Sequence, residues 1–562
     1  MSATTTAPSR GAEVLEAARP RSGVNWLPAA YFVAGAFIVL FLVVPHATIV
    51  LETLGLVTTS GDVPADLYSY MLRITWNSVQ LALLTTAISL AVAIPLAVAI
   101  AKLRPAFANG WTVLLTVPLI TPPFISSFAT ILLLGRTGVL TRLWETLGFP
   151  GFSIYGLPGL VITQVLHLMP YALLIILAGL RTVPAHIEEA AMSLGGTFTG
   201  ITAKIVLPYI FPHILMGGVL VFLTSLGDIG APLLIGGNYR VLPVEIYSNF
   251  ISFLGDERIP ILFSAWIVLL SSVMLIFVRH LLKKTDVAHK FRTRTYTYDL
   301  PKLRRGATIL CATAALLFLL PYVAIVISSF GTVWATGWLP NEFTLDHYIR
   351  ALSDTRPIKS SLIVMSGAMP LTLFVSVFLG QMNRSVPRLA IFDYLSLLPF
   401  VIPGVVIGFG LTRAYGTLVI GGIDFAATAL ILIVALAVRR LAHVVRVISA
   451  GFARVDRSLE EAAWSLGASE SKTFTDVVLP QLRPTIFAGG VIALIKLITE
   501  LGTTLILYPP GWDTMPVYIY YYVSEGQIGR GAAMGIVLIV VVAIGTAISN
   551  RLSGQKGVAA GG

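Results

Sequence analysis

Long hydrophobic stretches, separated by short polar segments, run along almost the whole of this chain. A stretch of about 20 apolar residues is long enough to cross a membrane as a single α-helix. Twelve such stretches predict spanning helices at residues 27–50, 75–101, 111–134, 157–179, 209–235, 259–282, 306–330, 360–382, 389–413, 424–446, 482–507 and 531–549. The pattern therefore predicts an all-α polytopic membrane protein.

Composition supports the same class of protein. Hydrophobic residues make up 56% of the 562 residues and charged residues only 12%, whereas a soluble domain carries about 25% charged residues. The mean hydropathy is +0.86. Most of the surface of such a chain does not face water, which excludes an ordinary soluble protein.

Lysine and arginine predict the orientation in the membrane. If the N-terminus is cytoplasmic, 27 of the 38 basic residues fall on the cytoplasmic side, Arg439 and Arg440 among them, and 10 fall outside. Cytoplasmic loops are enriched in basic residues, so both termini are expected in the cytoplasm. The net charge of +11 then follows from topology and requires no nucleic-acid partner. The basic segment 279–305 is expected to lie against anionic membrane lipid.

The sequence contains an internal repeat. The segment EEAAMSLGGTFTGITAKIVLP at 188–208 returns at 460–480 as EEAAWSLGASESKTFTDVVLP, with 10 of 21 positions identical and no gap. Every aligned pair has the separation of Glu188 from Glu460, which we call the repeat offset. Six spans per copy is an even number, so both copies keep one topology, as in parallel repeats. The predicted order is a cytoplasmic N-terminal segment (1–26), a first repeat (27–282), a basic linker (283–305), a second repeat (306–550) and a cytoplasmic tail (551–562).

The repeated loops, near 181–208 and 453–480, each contain residues that suit a short cytoplasmic helix. Small and apolar residues recur at i, i+3, i+4 and i+7, carboxylates occupy the first turn, and a glycine follows the last turn. Such a helix packs on its own bundle or docks a partner, and its recurrence in both halves favours docking. The expected docking residues are Glu188, Glu189, Ala190, Ala191 and Gly195 in the first copy, and Glu460, Glu461, Ala462, Ala463 and Gly467 in the second.

The order E-A-A, three residues, G, nine residues and I-x-L-P resembles the EAA loop of ABC-importer permeases. The second copy departs from that pattern only at Val477, where the family has isoleucine. The resemblance implies a type I permease fold of about twelve helices in two parallel repeats, with each loop acting as a coupling helix. It also implies two ATP-binding cassette subunits and an extracytoplasmic solute-binding protein as partners, at the plasma (inner) membrane.

Fused two-copy permeases of this length resemble the ferric-iron branch of the family. The stretches DIGAPLLIGG at 228–237 and ELGTTLILYPPGWDT at 500–514 are similar to that branch. The resemblance makes ferric iron the expected cargo, with thiamine, 2-aminoethylphosphonate or a polyamine as alternatives. An ion-coupled secondary transporter of parallel repeats is a further alternative, although such a carrier does not need a docking helix.

The sequence lacks the motif that an ATP-driven motor requires. The nearest approach to a P-loop, at 195–200, has Ile201 where the essential lysine must stand. We therefore expect a transport subunit and not an enzyme, without catalytic residues or a cofactor of its own, while a partner ATPase binds ATP and magnesium. The eight histidines are scattered and Cys311 is the only cysteine, so no metal site is expected.

Three ionisable residues within predicted spans are candidates for the solute path. Asp228 and Glu500 each follow a Leu-Pro pair by 20 residues, which in a straight helix corresponds to ~30 Å toward the outer face. Lys496 precedes Glu500 by one turn, so these two residues either form a local ion pair or line the path. Asp228 has no such neighbour, and we expect it in the path wall or in an interhelical contact. Glycines and a proline around Asp228 predict that its helix breaks there.

Overall fold

The computed structural model describes residues 25–59, 65–119, 121–136, 138–151, 153–252, 255–284, 296–332, 340–389 and 391–552. Nearly all of the predicted N-terminal segment, most of the predicted tail and about half of the predicted linker lie outside the described residues. In the first half the α-helices are Leu27–Ile38, Val44–Thr59, Ala65–Val98, Ala108–Thr116, Pro123–Leu134, Val139–Thr146, Leu157–Leu180, Ala185–Ser193, Phe198–Ile201, Leu207–Tyr209, Phe211–Leu226, Gly230–Ile235, Leu242–Ile251 and Arg258–Lys284.

The second half follows a similar, but not identical, order. Its α-helices are Pro301–Phe330, Asp346–Ser353, Arg356–Ser385, Ile391–Val401, Gly404–Tyr415, Ala429–Phe452, Arg457–Ser465, Glu470–Thr473, Leu479–Ile498, Gly502–Leu507, Met515–Ser524 and Ile528–Leu552. Single π-helical turns at Val39–Val43, Ala99–Leu103, Thr202–Val206 and Phe474–Val478 join neighbouring helices. The strands Val419–Ile420 and Ile423–Asp424 form one antiparallel hairpin.

The described residues contain nine helices that are long and apolar enough to cross a membrane, or eleven if two strongly bent pairs each form one span. The helix Ala429–Phe452 is not among them because it carries Arg439, Arg440 and Arg446. With that helix, every one of the twelve predicted hydrophobic stretches corresponds to a helix or a bent helix pair. The all-α polytopic class is confirmed.

Between Leu157 and Ile235 the helices of the first half have counterparts in the second half at the repeat offset, whereas the earlier helices do not keep that spacing. Leu157–Leu180 and Ala429–Phe452 both have 24 residues, and their first residues are separated by that offset. The short helices of the repeated loops, Ala185–Ser193 and Arg457–Ser465, keep the same spacing and length. Equivalent residues of the two halves can therefore be paired without a gap through this whole region.

Proline interrupts the third span of each half, which we predicted as continuous at 111–134 and 389–413. Pro122 has ψ 140° and Pro403 has ψ 145°, both outside the helical region, and a new helix begins directly after each. The helices on either side of the second break are bent by 113°. The prediction of single straight helices was wrong there, because proline cannot donate the backbone hydrogen bond that would continue the turn.

A second pair of breaks falls at the candidate acidic residues. The helix before Asp228 ends at Leu226 and a short helix starts at Gly230, which confirms the predicted break. The helix before Glu500 likewise ends at Ile498 and a short helix starts at Gly502, although we predicted one span over 482–507. Both carboxylates thus lie on non-helical turns between two helices.

The first helix of each half packs against the opposite half. Glu52, on the first span, forms an ion pair of 2.9 Å with Arg413 of the second repeat, and the Tyr415 hydroxyl donates to the Leu40 carbonyl at 2.5 Å. In return, the Tyr322 hydroxyl on Pro301–Phe330 bonds Ser126 of the first repeat at 2.8 Å. The buried apolar side chains of both halves form one shared core.

Candidate functional site

The two repeated loops form the short helices that we predicted. We call Ala185–Ser193 the first EAA helix and Arg457–Ser465 the second EAA helix. The glycine after each has a positive φ, +81° at Gly195 and +84° at Gly467, a conformation that glycine adopts at the least cost. The next N–H, that of Gly196 or Ala468, returns to a carbonyl in the last turn at 3.0 Å, so both helices end as predicted.

The first glutamate of the first EAA helix faces the protein interior. Glu188 is fully buried, and its Oε1 is paired with the Lys102 ammonium, which is also fully buried. Its Oε2 accepts a hydrogen bond of 2.9 Å from the Tyr298 hydroxyl. Burial and the neighbouring carboxylate raise the pKa of Tyr298, so this hydroxyl stays protonated and donates. Glu188 therefore fastens the first EAA helix to Lys102, at the end of the second span, and to Tyr298, just before the helix Pro301–Phe330.

The second EAA helix is fastened in the same way by a different cation. Glu460 pairs with Arg384 at 2.5 Å, and the two side chains are only 7% and 17% exposed. Burial raises the pKa of Glu460, while the Arg384 charge opposes this shift. Both inner glutamates thus make contacts within the chain, whereas we had grouped them with the docking residues.

The outer face of each EAA helix is exposed and carries an unusual apolar residue. Leu194 is 90% exposed and Leu466 is 89% exposed. The second glutamates, Glu189 and Glu461, are exposed on the same helices. Ala190 and Ala462 are exposed as well, while Ala191 and Ala463 are half-buried. A single exposed apolar side chain is common on protein surfaces, so it is the recurrence of the exposed leucine at equivalent positions of both repeats that favours a contact surface for a partner.

A cavity of about 150 Å³ lies between the two repeats. All three candidate path residues, Asp228, Lys496 and Glu500, line it. Its walls include the middle of Leu157–Leu180 and of Ala429–Phe452. Arg440 is the twelfth residue of the second of these helices, about 17 Å from either helix end at 1.5 Å per residue. Asp228 bonds Gln164, the eighth of the 24 residues of Leu157–Leu180. Both carboxylates therefore lie inside the helix bundle, and their depth relative to the outer face stays a prediction.

Glu500 is paired with two arginines of the neighbouring helix. Its Oε2 contacts the Arg440 guanidinium, and its Oε1 lies 3.8 Å from Nε of Arg439. Oε1 also accepts from the Thr503 hydroxyl at 3.2 Å. We had counted Arg439 and Arg440 as cytoplasmic; the structure corrects this, because their helix continues to Phe452 and buries them against Glu500.

Lys496 does not pair with Glu500, so the local ion pair is excluded. The helix ends at Ile498, and Glu500 no longer lies one turn above Lys496. The Lys496 ammonium instead contacts the Tyr171 hydroxyl of the first repeat and lies 5.0 Å from the centre of the same ring. Lys496 thus joins the two repeats across the cavity.

Asp228 makes the interhelical contact that we expected as one alternative. Its Oδ2 accepts from Nε2 of Gln164 at 3.1 Å, and its Oδ1 accepts from the Gly230 N–H at 3.0 Å. The Gln164 carbonyl oxygen in turn accepts from Ser225 at 2.6 Å and from Thr85 at 3.1 Å. Among the described residues, Asp228 forms no ion pair within 4 Å.

Several cavity residues were missed by the sequence reasoning. They are Gln164, His167, Tyr171, Arg439, Arg440 and His443. The repeat carried a usable signal, because the repeat offset places Arg439 opposite His167 and His443 opposite Tyr171. A polar residue at the same mid-helix position in both copies indicates the lining of a shared cavity.

Comparison with known proteins agrees with this architecture. A family profile described as "Binding-protein-dependent transport system inner membrane component" matches residues 91–286 and again 372–555. The ferric transport system permease protein FbpB of Actinobacillus pleuropneumoniae is 26% identical over 439 residues, which is 76% of this chain and 63% of that protein. The putative ferric transport system permease protein FbpB 1 of Haemophilus influenzae is 26% identical over 473 residues, or 82% and 73%.

A shorter relative matches one half of the chain. The putative 2-aminoethylphosphonate transport system permease protein PhnV of Salmonella typhimurium is 32% identical over 246 residues, which is 43% of this chain but 91% of that protein. The chain thus spans somewhat less than two thirds of the Actinobacillus relative and is about twice as long as the region shared with PhnV. Because the profile matches both repeats, the chain belongs to the family of binding-protein-dependent transport system inner membrane components.

Proposed function

We propose that this chain is the membrane-spanning permease of an ATP-driven importer, forming the path for a solute that an external binding protein delivers. The observation that carries the proposal is the pair of EAA helices. Each is fastened inside by a buried glutamate and presents an almost fully exposed leucine outside. Two equivalent surfaces on one chain fit two ATPase subunits, which bind the ATP and magnesium that this chain has no motif to hold.

In this proposal both termini and both EAA helices face the cytoplasm, and the external binding protein meets the opposite face. Asp228, Lys496 and Glu500 line the translocation path, because they line the cavity that described residues of both repeats enclose. Ferric iron is the proposed cargo, supported by the two long relatives whose names specify ferric transport.

An organic solute is a second candidate cargo. The shared region with a permease named for 2-aminoethylphosphonate has the higher identity, 32% against 26%, although it covers only one repeat. Uptake of radiolabelled ferric iron and of 2-aminoethylphosphonate should therefore be compared in liposomes that contain the chain, its ATPase and its binding protein. We expect uptake only with ATP; uptake by the chain alone, driven by a proton or sodium gradient, would contradict the proposal.

The docking step can be tested separately by charge reversal on the outer face. Glu189→Lys and Glu461→Lys place a cation where a basic groove on the ATPase would lie, at a cost of about 1–3 kcal/mol for a desolvated contact. We expect each single variant to retain less ATPase in a pull-down, and the double variant to retain least. Unchanged retention by the double variant would show that the EAA helices are not the docking surfaces.

A further inference from the structure

The cavity between the repeats is built twice from equivalent positions, but the two copies differ in charge. At the repeat offset, the first-repeat and second-repeat residues that line it pair as His167 with Arg439, Leu168 with Arg440, Tyr171 with His443, Thr224 with Lys496, and Asp228 with Glu500. The second repeat thus supplies a cation at three positions where the first repeat is neutral. Only the carboxylate position is acidic in both copies.

The carboxylates of the cavity do not balance these cations. Glu500 forms an ion pair with Arg440, and its Oε1 lies 3.8 Å from Nε of Arg439. Asp228 is bonded to the amide groups of Gln164 and Gly230. Within the described residues Lys496 has no carboxylate within 4 Å, and its polar contact is a tyrosine hydroxyl. With every group ionised, three cations face two carboxylates, which leaves an excess positive charge in the cavity.

Buried nitrogen atoms around the cavity also lack partners. Within the part of the chain that the structure describes, Nε of Arg439, Nε of Arg440 and Nδ1 of His443 are buried without a hydrogen-bond partner. Arg440 is only 6% exposed. Buried donors normally find an acceptor, and charged guanidinium donors bind carboxylate, phosphate and phosphonate oxygens with particular strength. The two guanidinium Nε–H groups are a second indication, independent of the charge count, that the cavity suits a ligand with acceptor oxygens.

We infer that this cavity binds an oxyanion group of the cargo, held by Lys496 and by the Arg439–Arg440 pair of the second repeat. The inference rests on the proposed function, since it makes the cavity the cargo site of an importer. Glu500 is the carboxylate that pairs with the Arg440 guanidinium when the cavity is empty. The oxyanion of the cargo competes with Glu500 for this guanidinium. The first repeat, whose lining residues include no lysine or arginine, forms the opposite wall and contacts the remainder of the cargo.

The inference constrains the form in which ferric iron would cross. Groups of three histidine, cysteine, aspartate or glutamate residues that could hold a metal ion are not found among the described residues. A bare trivalent cation would also meet the excess positive charge. Iron would therefore pass with an oxyanion coordinated to it, and an organic phosphonate would pass by means of its own oxyanion. In both cases an oxyanion group would bind the Lys496 ammonium.

The test is ligand-dependent thermal stability of the purified full chain in detergent, at constant ionic strength. The probes are 2-aminoethylphosphonate, citrate and ferric citrate, with chloride as the reference anion. The decisive variant is Lys496→Thr, which introduces the residue of the equivalent first-repeat position, Thr224, and leaves no carboxylate unpaired. The matched control is Lys359→Thr on the exposed surface, and Lys496→Arg should restore binding.

We expect a rise in Tm with at least one probe, lost or weakened about tenfold in apparent affinity in Lys496→Thr and retained in Lys359→Thr. A response to 2-aminoethylphosphonate identifies a free oxyanion, whereas a response to ferric citrate but not to citrate identifies an oxyanion on iron. Absence of any rise in the wild-type chain, or an equal rise in Lys496→Thr, would overturn the inference. ATP-independent uptake would instead contradict the proposed function and leave this binding result intact.

Discussion

The buried ion pair behind the first EAA helix makes a quantitative prediction. Glu188→Gln keeps the shape of the side chain but leaves the fully buried Lys102 ammonium without its carboxylate. Removing one partner of a buried pair typically costs about 3–5 kcal/mol, because the remaining charge is uncompensated. The Tyr298 hydroxyl can still donate to the amide oxygen, so its hydrogen bond does not add to this cost.

The loss should first appear as local detachment of the EAA helix. A cost of about 3–5 kcal/mol increases the equilibrium constant for opening by roughly a hundredfold to several thousandfold, up to the limit set by the stability of the helix. Hydrogen–deuterium exchange of the amides at 185–193 measures this opening. The second EAA helix, in the same molecule and fastened by Arg384, is the internal reference.

The neighbouring Glu189 provides the matched control. It is exposed, so Glu189→Gln should change stability by less than about 0.5 kcal/mol and leave the exchange of 185–193 as it is. The double variant Lys102→Met, Glu188→Leu removes both charges and should recover much of the protection, apart from about 1–3 kcal/mol for the lost acceptor of the buried Tyr298 hydroxyl. Equal exchange in Glu188→Gln and Glu189→Gln would refute the anchoring role of Glu188.

Three further predictions concern the ends of the EAA helix and the cavity. Gly467→Val should lower Tm, with a strain of about 1–3 kcal/mol from a β-branched residue at φ +84°, whereas Gly306→Ala, in open space on a helix, should raise it slightly. Leu194→Asp should leave Tm unchanged, because the side chain is 90% exposed, but should reduce ATPase retention in a pull-down. Glu500→Gln should destabilise the chain more than Asp228→Asn does in a thermal unfolding assay, because it leaves arginines unpaired whereas Asp228 has only amide donors; equal losses would contradict this order.

Hydropathy predicted the spans well because membrane crossing depends on the length and hydrophobicity of each stretch, which do not depend on the rest of the fold. The EAA helices were predictable for a similar reason, since carboxylates in the first turn and a terminal glycine are local signals. The sequence could not distinguish Glu188 from Glu189. Adjacent helical residues point about 100° apart, and the partner that decides which one faces inward, Lys102, lies 86 residues earlier.

The cavity was less predictable because its contacts depend on where helices break and on which helices meet. Lys496 and Glu500 have the spacing of a helical ion pair, and only the break after Ile498 separates them. Arg439 and Arg440 were assigned to the cytoplasm because charged pairs usually lie near helix ends, and their burial depends on Glu500 in another helix. A residue pair of this kind follows from tertiary packing alone.

Hydrogen bonds connect the two repeated loops to the first helices of the opposite repeats. Glu188 is bonded to Tyr298, just before the first helix of the second repeat. The helix that follows the second EAA helix is bonded to the residues before the first helix of the first repeat, through Glu470 to Asn25 and Ser471 to the Trp26 N–H. Each EAA helix is therefore connected to its own repeat and to the first helix of the other. On the proposed function we therefore expect a displacement of either EAA helix to change the separation of Lys496 and Tyr171, because these two residues come from different repeats.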